Sequence, residues 1–212
     1  MRERAVSAHD DNNVYMYTAT TIQKLCLVEH QRDKEMISKE PKMQRVMVEM
    51  KARIDDLDDV RTRLLESGAT RIGVFHQMDT YYHVPKGRLK LRETRGKTAA
   101  QLVYYERENV AGAKRSTVFL VTIPSPQEFR RLAEQVLETR GVIEKSREIY
   151  LHERTQVHLD TVSNLGFFVE FERVTLDDSE AQEDDLKRLE ELRAKLHIDR
   201  RSLEKDSYID LL

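Results

Sequence analysis

In Arg88-Leu89-Lys90-Leu91-Arg92, cationic and aliphatic residues alternate strictly. Successive side chains of a β-strand point to opposite faces, so the three cations share one side and both leucines the other. Fixed positive charges packed that closely repel unless something anionic and multivalent sits between them. Phe168-Val169-Glu170-Phe171-Glu172 repeats the pattern with carboxylates, and Val48-Glu49-Met50-Lys51 sets both signs on one face. Holding a polyphosphate needs cations to neutralise phosphate oxygens and hard carboxylate ligands for a divalent metal. A sheet that segregates its ionised residues this way is expected to hold a polyphosphate together with its metal ion.

The elements that would position these residues can be read from periodicity. Residues 46–54 predict a strand, and Asp55 or Asp56 can cap a helix with the apolar stripe Leu57, Val60, Leu64 and Leu65, ending at Gly68. Strands follow at 70–84, at 88–94 after the Pro85-Lys86-Gly87 turn, and at 99–108, with a linker over 109–115. The order then recurs. A strand at 117–123 leads to a helix capped by Ser125, carrying Phe129, Leu132, Val136 and Leu137 and closing near Gly141. Strands at 142–151, 153–162 and 166–175 complete the second half. The fold class expected is α+β, an eight-stranded, largely antiparallel closed β-barrel with flanking helices, built as two strand-helix-three-strand halves. A helix over 179–196 bears Leu186, Leu189, Leu192 and Leu196, with the acidic run 180–185 favoured by its N-terminal dipole. After a short helical turn near 201–205, the apolar ending Ser207-Tyr208-Ile209-Asp210-Leu211-Leu212 is expected to dock on the body. The amphipathic helices need apolar strand faces to pack on, which puts the ionised faces inside the barrel. That interior must be wet and compensated, because an unpaired buried ion costs several kcal/mol.

Composition sets limits on function. Lys+Arg 36 against Asp+Glu 38 leaves a formal net charge of -2, so global charge gives no reason to expect nucleic-acid or membrane binding. Cys26 is the only cysteine, which excludes an intramolecular disulfide and suits a reducing interior. No apolar run approaches the roughly 20 residues of a membrane helix, and Met1-Arg2-Glu3-Arg4 leads into no signal-like segment. Cytoplasm is the expected compartment. Residues 1–43 read as a poorly ordered extension with one short helix or strand, and 44–212 as the folded domain.

The order and spacing of Val48-Glu49-Met50-Lys51, Asp79-Thr80-Tyr81-Tyr82, Leu89-Lys90-Leu91-Arg92, Tyr105-Glu106-Arg107, Lys145-Ser146-Arg147, His158-Leu159-Asp160, Leu165-Gly166 and Val169-Glu170-Phe171-Glu172 resemble the CYTH domain, the triphosphate tunnel metalloenzymes. The resemblance covers about 46–212, and the Gly-Arg-Leu-Lys-Leu-Arg-Glu run and the closing hexapeptide look most like the class IV adenylyl cyclase-type branch. It implies a tunnel in which Glu49, Glu170 and Glu172 are catalytic and hold Mg²⁺ or Mn²⁺, with Asp160 as a further metal ligand. Lys51, Lys90, Arg92, Arg107, Lys145, Arg147 and Arg154 are the implied phosphate cradle, with Arg88 on the same strand face at the entrance, meeting nucleoside or solvent. Tyr81 or Tyr82 could supply a tunnel hydroxyl, and His158 could orient Asp160. Two departures stand out. Met47 occupies the place of the family's first Glu, and Arg107 stands where thiamine triphosphatases carry a lysine on the fourth strand, which argues against that specialisation.

The expected activity is a metal-dependent phosphohydrolase acting on inorganic or organic triphosphates. The alternatives are a class IV-type cyclase making cyclic AMP and pyrophosphate from ATP, and a non-catalytic polyphosphate- or nucleotide-binding module. The expected partner is a triphosphate-bearing small molecule, with a homodimer as an open option.

Overall fold

A computed structural model of the chain describes residues 44–176 and 178–212. The expected extension over 1–43 lies outside them. The chain runs β1 (Gln44–Ile54), α1 (Leu57–Glu66), β2 (Thr70–Tyr82), β3 (Arg88–Thr94), β4 (Ala100–Arg107), β5 (Lys114–Ile123), α2 (Pro126–Val136), β6 (Thr139–His152), β7 (Thr155–Val162), β8 (Gly166–Thr175) and α3 (Ser179–Lys195), then 3₁₀ turns at Arg200–Ser202 and Tyr208–Asp210. The strands close into one barrel in the order β1-β5-β4-β3-β2-β6-β7-β8, every pairing antiparallel. Closure leaves no edge strand to aggregate. The two halves interlock rather than sit side by side, since β1 pairs with β5 and β8, and β2 with β6.

The apolar core lies between the outside of the wall and the helices. Val48, Met50 and Ala52 of β1, Val157 and Leu159 of β7, and Val169 and Phe171 of β8 are buried against Val60 and Leu64 of α1 and Leu189 and Leu192 of α3. Fully burying one such side chain stabilises by about 1.5–3 kcal/mol. Asp56 caps α1 by accepting a 2.8 Å hydrogen bond from the Asp58 N–H, and Gly68 follows the helix end at φ +90°. A second fixing point is ionic: Arg173 of β8, buried, pairs with Asp185 on α3. Part of the acidic run therefore docks α3, and its N-cap is Asp178, which accepts the Glu180 N–H.

Helix α2 departs from the expectation. It ends at Val136, and Gly141 belongs to β6 rather than to the helix end. Ser125 sits at the N-cap without a side-chain hydrogen bond, and Pro126 presets the first turn instead. Its buried stripe is narrower than predicted. Ala133 packs with Phe129 and Leu137 on Tyr82, Leu89 and Leu91, while Leu132 and Val136 are exposed. Strand β5 begins at Lys114, inside the stretch read as linker, because Lys114 pairs in register with Glu49. Among the described residues, no helix is long and apolar enough to cross a membrane.

Candidate functional site inside the barrel

Register decides which side chains share the interior, because directly opposite residues lie on one face. On β1, Glu49 stands opposite Glu172 of β8 and Lys114 of β5, and Lys51 opposite Glu170. Arg92 of β3 faces Asp79 of β2, Arg147 of β6 faces Asp160 of β7, and His158 faces Glu170. The intervening residues form the outer core, so this ionised face lines the inside. The predicted orientation is the one observed.

Asp79 is the centre of the cationic cluster. Its Oδ2 accepts from Lys90 Nζ at 2.9 Å, Lys145 Nζ at 2.8 Å and Arg92 Nη2 at 2.9 Å, and its Oδ1 from Arg92 Nε at 2.8 Å. Burial alone would favour the neutral acid, but Arg92, Lys145 and Lys90 outweigh it and hold the carboxyl well below its usual range. Burial, opposed by Asp79 and reinforced by Arg92, Arg147 and Lys90, pushes the Lys145 ammonium down to about 7. Tyr81 points inward with its hydroxyl 3.3 Å from Lys90 Nζ, whereas Tyr82 packs outside against Phe129.

A second cluster surrounds Arg147. Its Nε donates to Asp160 Oδ1 at 2.8 Å, and its Nη2 reaches both Asp160 and Glu170. The Tyr208 hydroxyl donates to Asp160 Oδ2 at 2.8 Å. Burial opposes ionisation of Glu170, yet Arg147, His158 and Lys51 hold it well below the ordinary carboxylate value.

Among the described residues, two lysines of the barrel interior make no ion pair with a carboxylate. The Lys51 ammonium lies 4.2 Å from the centroid of the Tyr208 ring, and Lys114 Nζ donates only to carbonyls, Val110 O at 2.8 Å and Glu204 O at 3.3 Å. Burial lowers both to about 8, Lys51 partly restored by Glu170 and Lys114 lowered further by Arg107.

His158, Glu170 and Glu172 offer ligand atoms that all lie within 4.8 Å of one another. His158 Nε2 is 3.2 Å from Gln156 Oε1, while its buried Nδ1 has no hydrogen-bond partner and sits 3.6 Å from Glu172 Oε1 and 3.8 Å from Glu170 Oε2. An orphaned imidazole nitrogen aimed between two carboxylates is what a divalent cation would satisfy.

Most sequence-predicted residues gather here, and four sit otherwise than expected. Asp160 is saturated by Arg147 and Tyr208 and stands outside the metal-ligand group. Glu49, register partner of Glu172, is drawn instead to the Arg107 guanidinium. Arg154 is exposed in the turn between β6 and β7, away from the buried cations. Arg88 meets Asp210 at 2.6 Å rather than nucleoside or solvent. The interior is also not ionised all round. Val103, Tyr105 and Val118 on β4 and β5 form an apolar cluster with Leu120 and with Met47, the residue that replaces the expected Glu.

Sequence reasoning did not bring Asp79, Lys114 and Tyr208 into the interior cluster, nor set His158 beside Glu170 and Glu172 as a candidate ligand. Asp79 was within reach, since it lies two residues before Tyr81 and so shares its face. Lys114 was hidden by its loop-like neighbours, and nothing periodic marks Tyr208.

Together, Lys51, Lys90, Arg92, Arg107, Lys114, Lys145 and Arg147 outnumber Glu49, Asp79, Asp160, Glu170 and Glu172 inside the wall. A surplus of buried cations is costly without a counter-ion, so the interior suits a polyanion.

The CYTH domain family model matches residues 45–208. No curated protein matches. Among solved structures, a Pyrococcus horikoshii OT3 protein is 21% identical at TM-score 0.69, covering 78% of this chain and 99% of its own. A candidate adenylate cyclase from Vibrio parahaemolyticus is 20% identical at TM-score 0.68, covering 79% and 97%. A candidate adenylyl cyclase from Hippeastrum, described as having a dominant triphosphatase activity, is 13% identical at TM-score 0.54, covering 78% and 94%. At these identities the likeness is one of fold.

Proposed function

Since the chain belongs to the CYTH domain family, we propose that it is a metal-dependent phosphohydrolase that cleaves inorganic or organic triphosphates held inside its barrel. The observation that carries this reading is the uneven charge of the interior: among the described residues Lys51 and Lys114 make no ion pair with a carboxylate, beside a cluster in which one carboxylate, Asp79, serves three cations. A chain of phosphates supplies the missing negative charge. Lys90, Arg92 and Lys145 converge on one point and would grip one phosphate. Arginine can take two phosphate oxygens at once, whereas lysine acts as a compact charge. Arg147 and Arg107, each already paired to a carboxylate, are placed to hold the rest of the chain.

Glu170, Glu172 and His158 fit a divalent ion, which when bound would polarise the phosphorus under attack. The two carboxylates suit Mg²⁺ or Mn²⁺, and the imidazole nitrogen tilts the set toward Mn²⁺. The apolar wall of Met47, Val103, Val118 and Leu120 spans β1, β5 and β4, between the carboxylates of β8 and the cations of β3.

Cyclisation of ATP is the second reading, favoured by the likeness to the Vibrio parahaemolyticus protein. The Hippeastrum protein's dominant triphosphatase activity supports hydrolysis within the same fold. The test is a product assay with ATP and with tripolyphosphate under Mg²⁺ and Mn²⁺. Orthophosphate without cyclic AMP is the outcome expected. Cyclic AMP with pyrophosphate would select the cyclase, and binding without either product would leave a binding module.

A further inference from the structure

The C-terminal segment crosses one mouth of the barrel from side to side. It begins at β1, where Leu203 bridges Ala52 and the Glu204 N–H donates to Lys51 O at 2.8 Å. In the middle, Arg107 Nη2 donates to Lys205 O at 3.3 Å and Asn109 Nδ2 to Asp206 Oδ1 at 3.1 Å. On the far side, Asp210 is held at 2.6 Å by both Arg88 of β3 and Arg140 of β6, and it accepts the Ser207 hydroxyl at 2.7 Å. Four strands and a loop spread around the mouth thus anchor it.

Between these anchors the segment drives side chains into the opening. Tyr208 and Ile209 are buried with Tyr81, Ile143, Val162 and Phe168, all near this end of the wall. The Tyr208 ring meets Phe168 edge-on at 4.9 Å, and its hydroxyl reaches Asp160 inside. Fit is tight enough to constrain the wall: a Cβ at Gly141 would stand 2.8 Å from Ile209 Cδ1. The floor so formed is apolar except where Lys51 and Lys145 lie over the Tyr208 ring, at 4.2 Å and 5.5 Å.

We infer that the barrel is blind at this end and takes triphosphates terminal phosphate first, admitting a bulky substituent at one end of the phosphate chain only. This rests on the triphosphate reading of the site and narrows its substrate class to tripolyphosphate and mono-substituted triphosphates. A chain substituted at both ends would have to push one organic group through Tyr208, Ile209 and Phe168.

The test is calorimetric titration of the full chain with tripolyphosphate, ATP, the γ-methyl ester of ATP, and P1,P3-di(adenosine) triphosphate. The methyl ester has lost the same charge as the dinucleotide and controls for it. The expected result is that the dinucleotide binds about a hundredfold more weakly than the methyl ester, or not at all. Equal affinity of these two would mean an open passage and overturn the inference while leaving the triphosphate site standing. No binding of tripolyphosphate or ATP would remove the site itself and the inference with it.

Discussion

The Lys145 ammonium donates a 2.8 Å hydrogen bond to Asp79 Oδ2 where both residues are buried, and Lys90 and Arg92 reach the same carboxylate from the neighbouring strand. One fixed anion therefore gathers cations from β3 and β6 onto a shared point on β2. The arrangement is strong only while complete, since removing one member leaves the others buried and uncompensated.

Asp79→Asn is expected to destabilise the fold by about 3–5 kcal/mol, the usual cost of breaking a buried pair from one side. It should also weaken tripolyphosphate binding, because Lys90, Arg92 and Lys145 lose their common anchor. Denaturant unfolding and calorimetry read the two effects separately, and an unchanged denaturation midpoint would contradict the hub.

The lysines give a pH dependence with a definite sign. Lys145 is lowered to about 7, and Lys51 and Lys114 to about 8, chiefly by burial. Phosphate binding needs their ammonium forms, so affinity should fall as pH rises through 7 and 8. At pH 8 binding should take up protons, seen as a heat that varies with the buffer's ionisation enthalpy. For folding, the unfolded chain holds more protons than the folded one between these lowered values and the ordinary 10.5. Stability contributed by these lysines therefore rises with pH across that window. A buffer-independent binding heat would count against the assignment.

The metal-ligand group predicts selective loss of metal response. At a hundredfold excess over its dissociation constant, Mn²⁺ should stabilise the wild type by about 2.7 kcal/mol. His158→Ala and Glu172→Gln should lose most of that gain in a thermal melt, and Glu172→Gln should lower kcat/KM by about 10²-fold. Asp160→Asn should keep the metal response, because Asp160 serves Arg147 and Tyr208 instead.

Away from the interior, Leu189→Ala on α3 should cost about 2–5 kcal/mol, since Leu189 is fully buried against the outer wall. Activity per folded molecule should be retained, which separates the helix's packing role from the chemistry inside.

Much of this was legible in the sequence, because a strand's period of two forces a choice of face. Lys90 with Arg92, and Glu170 with Glu172, were bound to share a side, and the leucines of α3 showed which side needed an apolar partner. The partners were less visible. Asp160 and His158 alternate on one face of β7, yet only cross-strand register shows that Arg147 takes the first and leaves the second beside Glu170 and Glu172. Arg154 falls in the turn because β7 begins at Thr155, two residues after the expected start at 153. The lid at one mouth depends on where residues 203–210 return in space, which no local pattern encodes.

The charged interior as a triphosphate site is tested most directly by titrating tripolyphosphate into the wild type and into Lys90→Ala/Arg92→Ala, each checked for folding by its melt. Saturable binding at one site per chain, lost or strongly weakened in the double variant, is the result predicted. No binding to the folded wild type, or equal binding by both proteins, would contradict it.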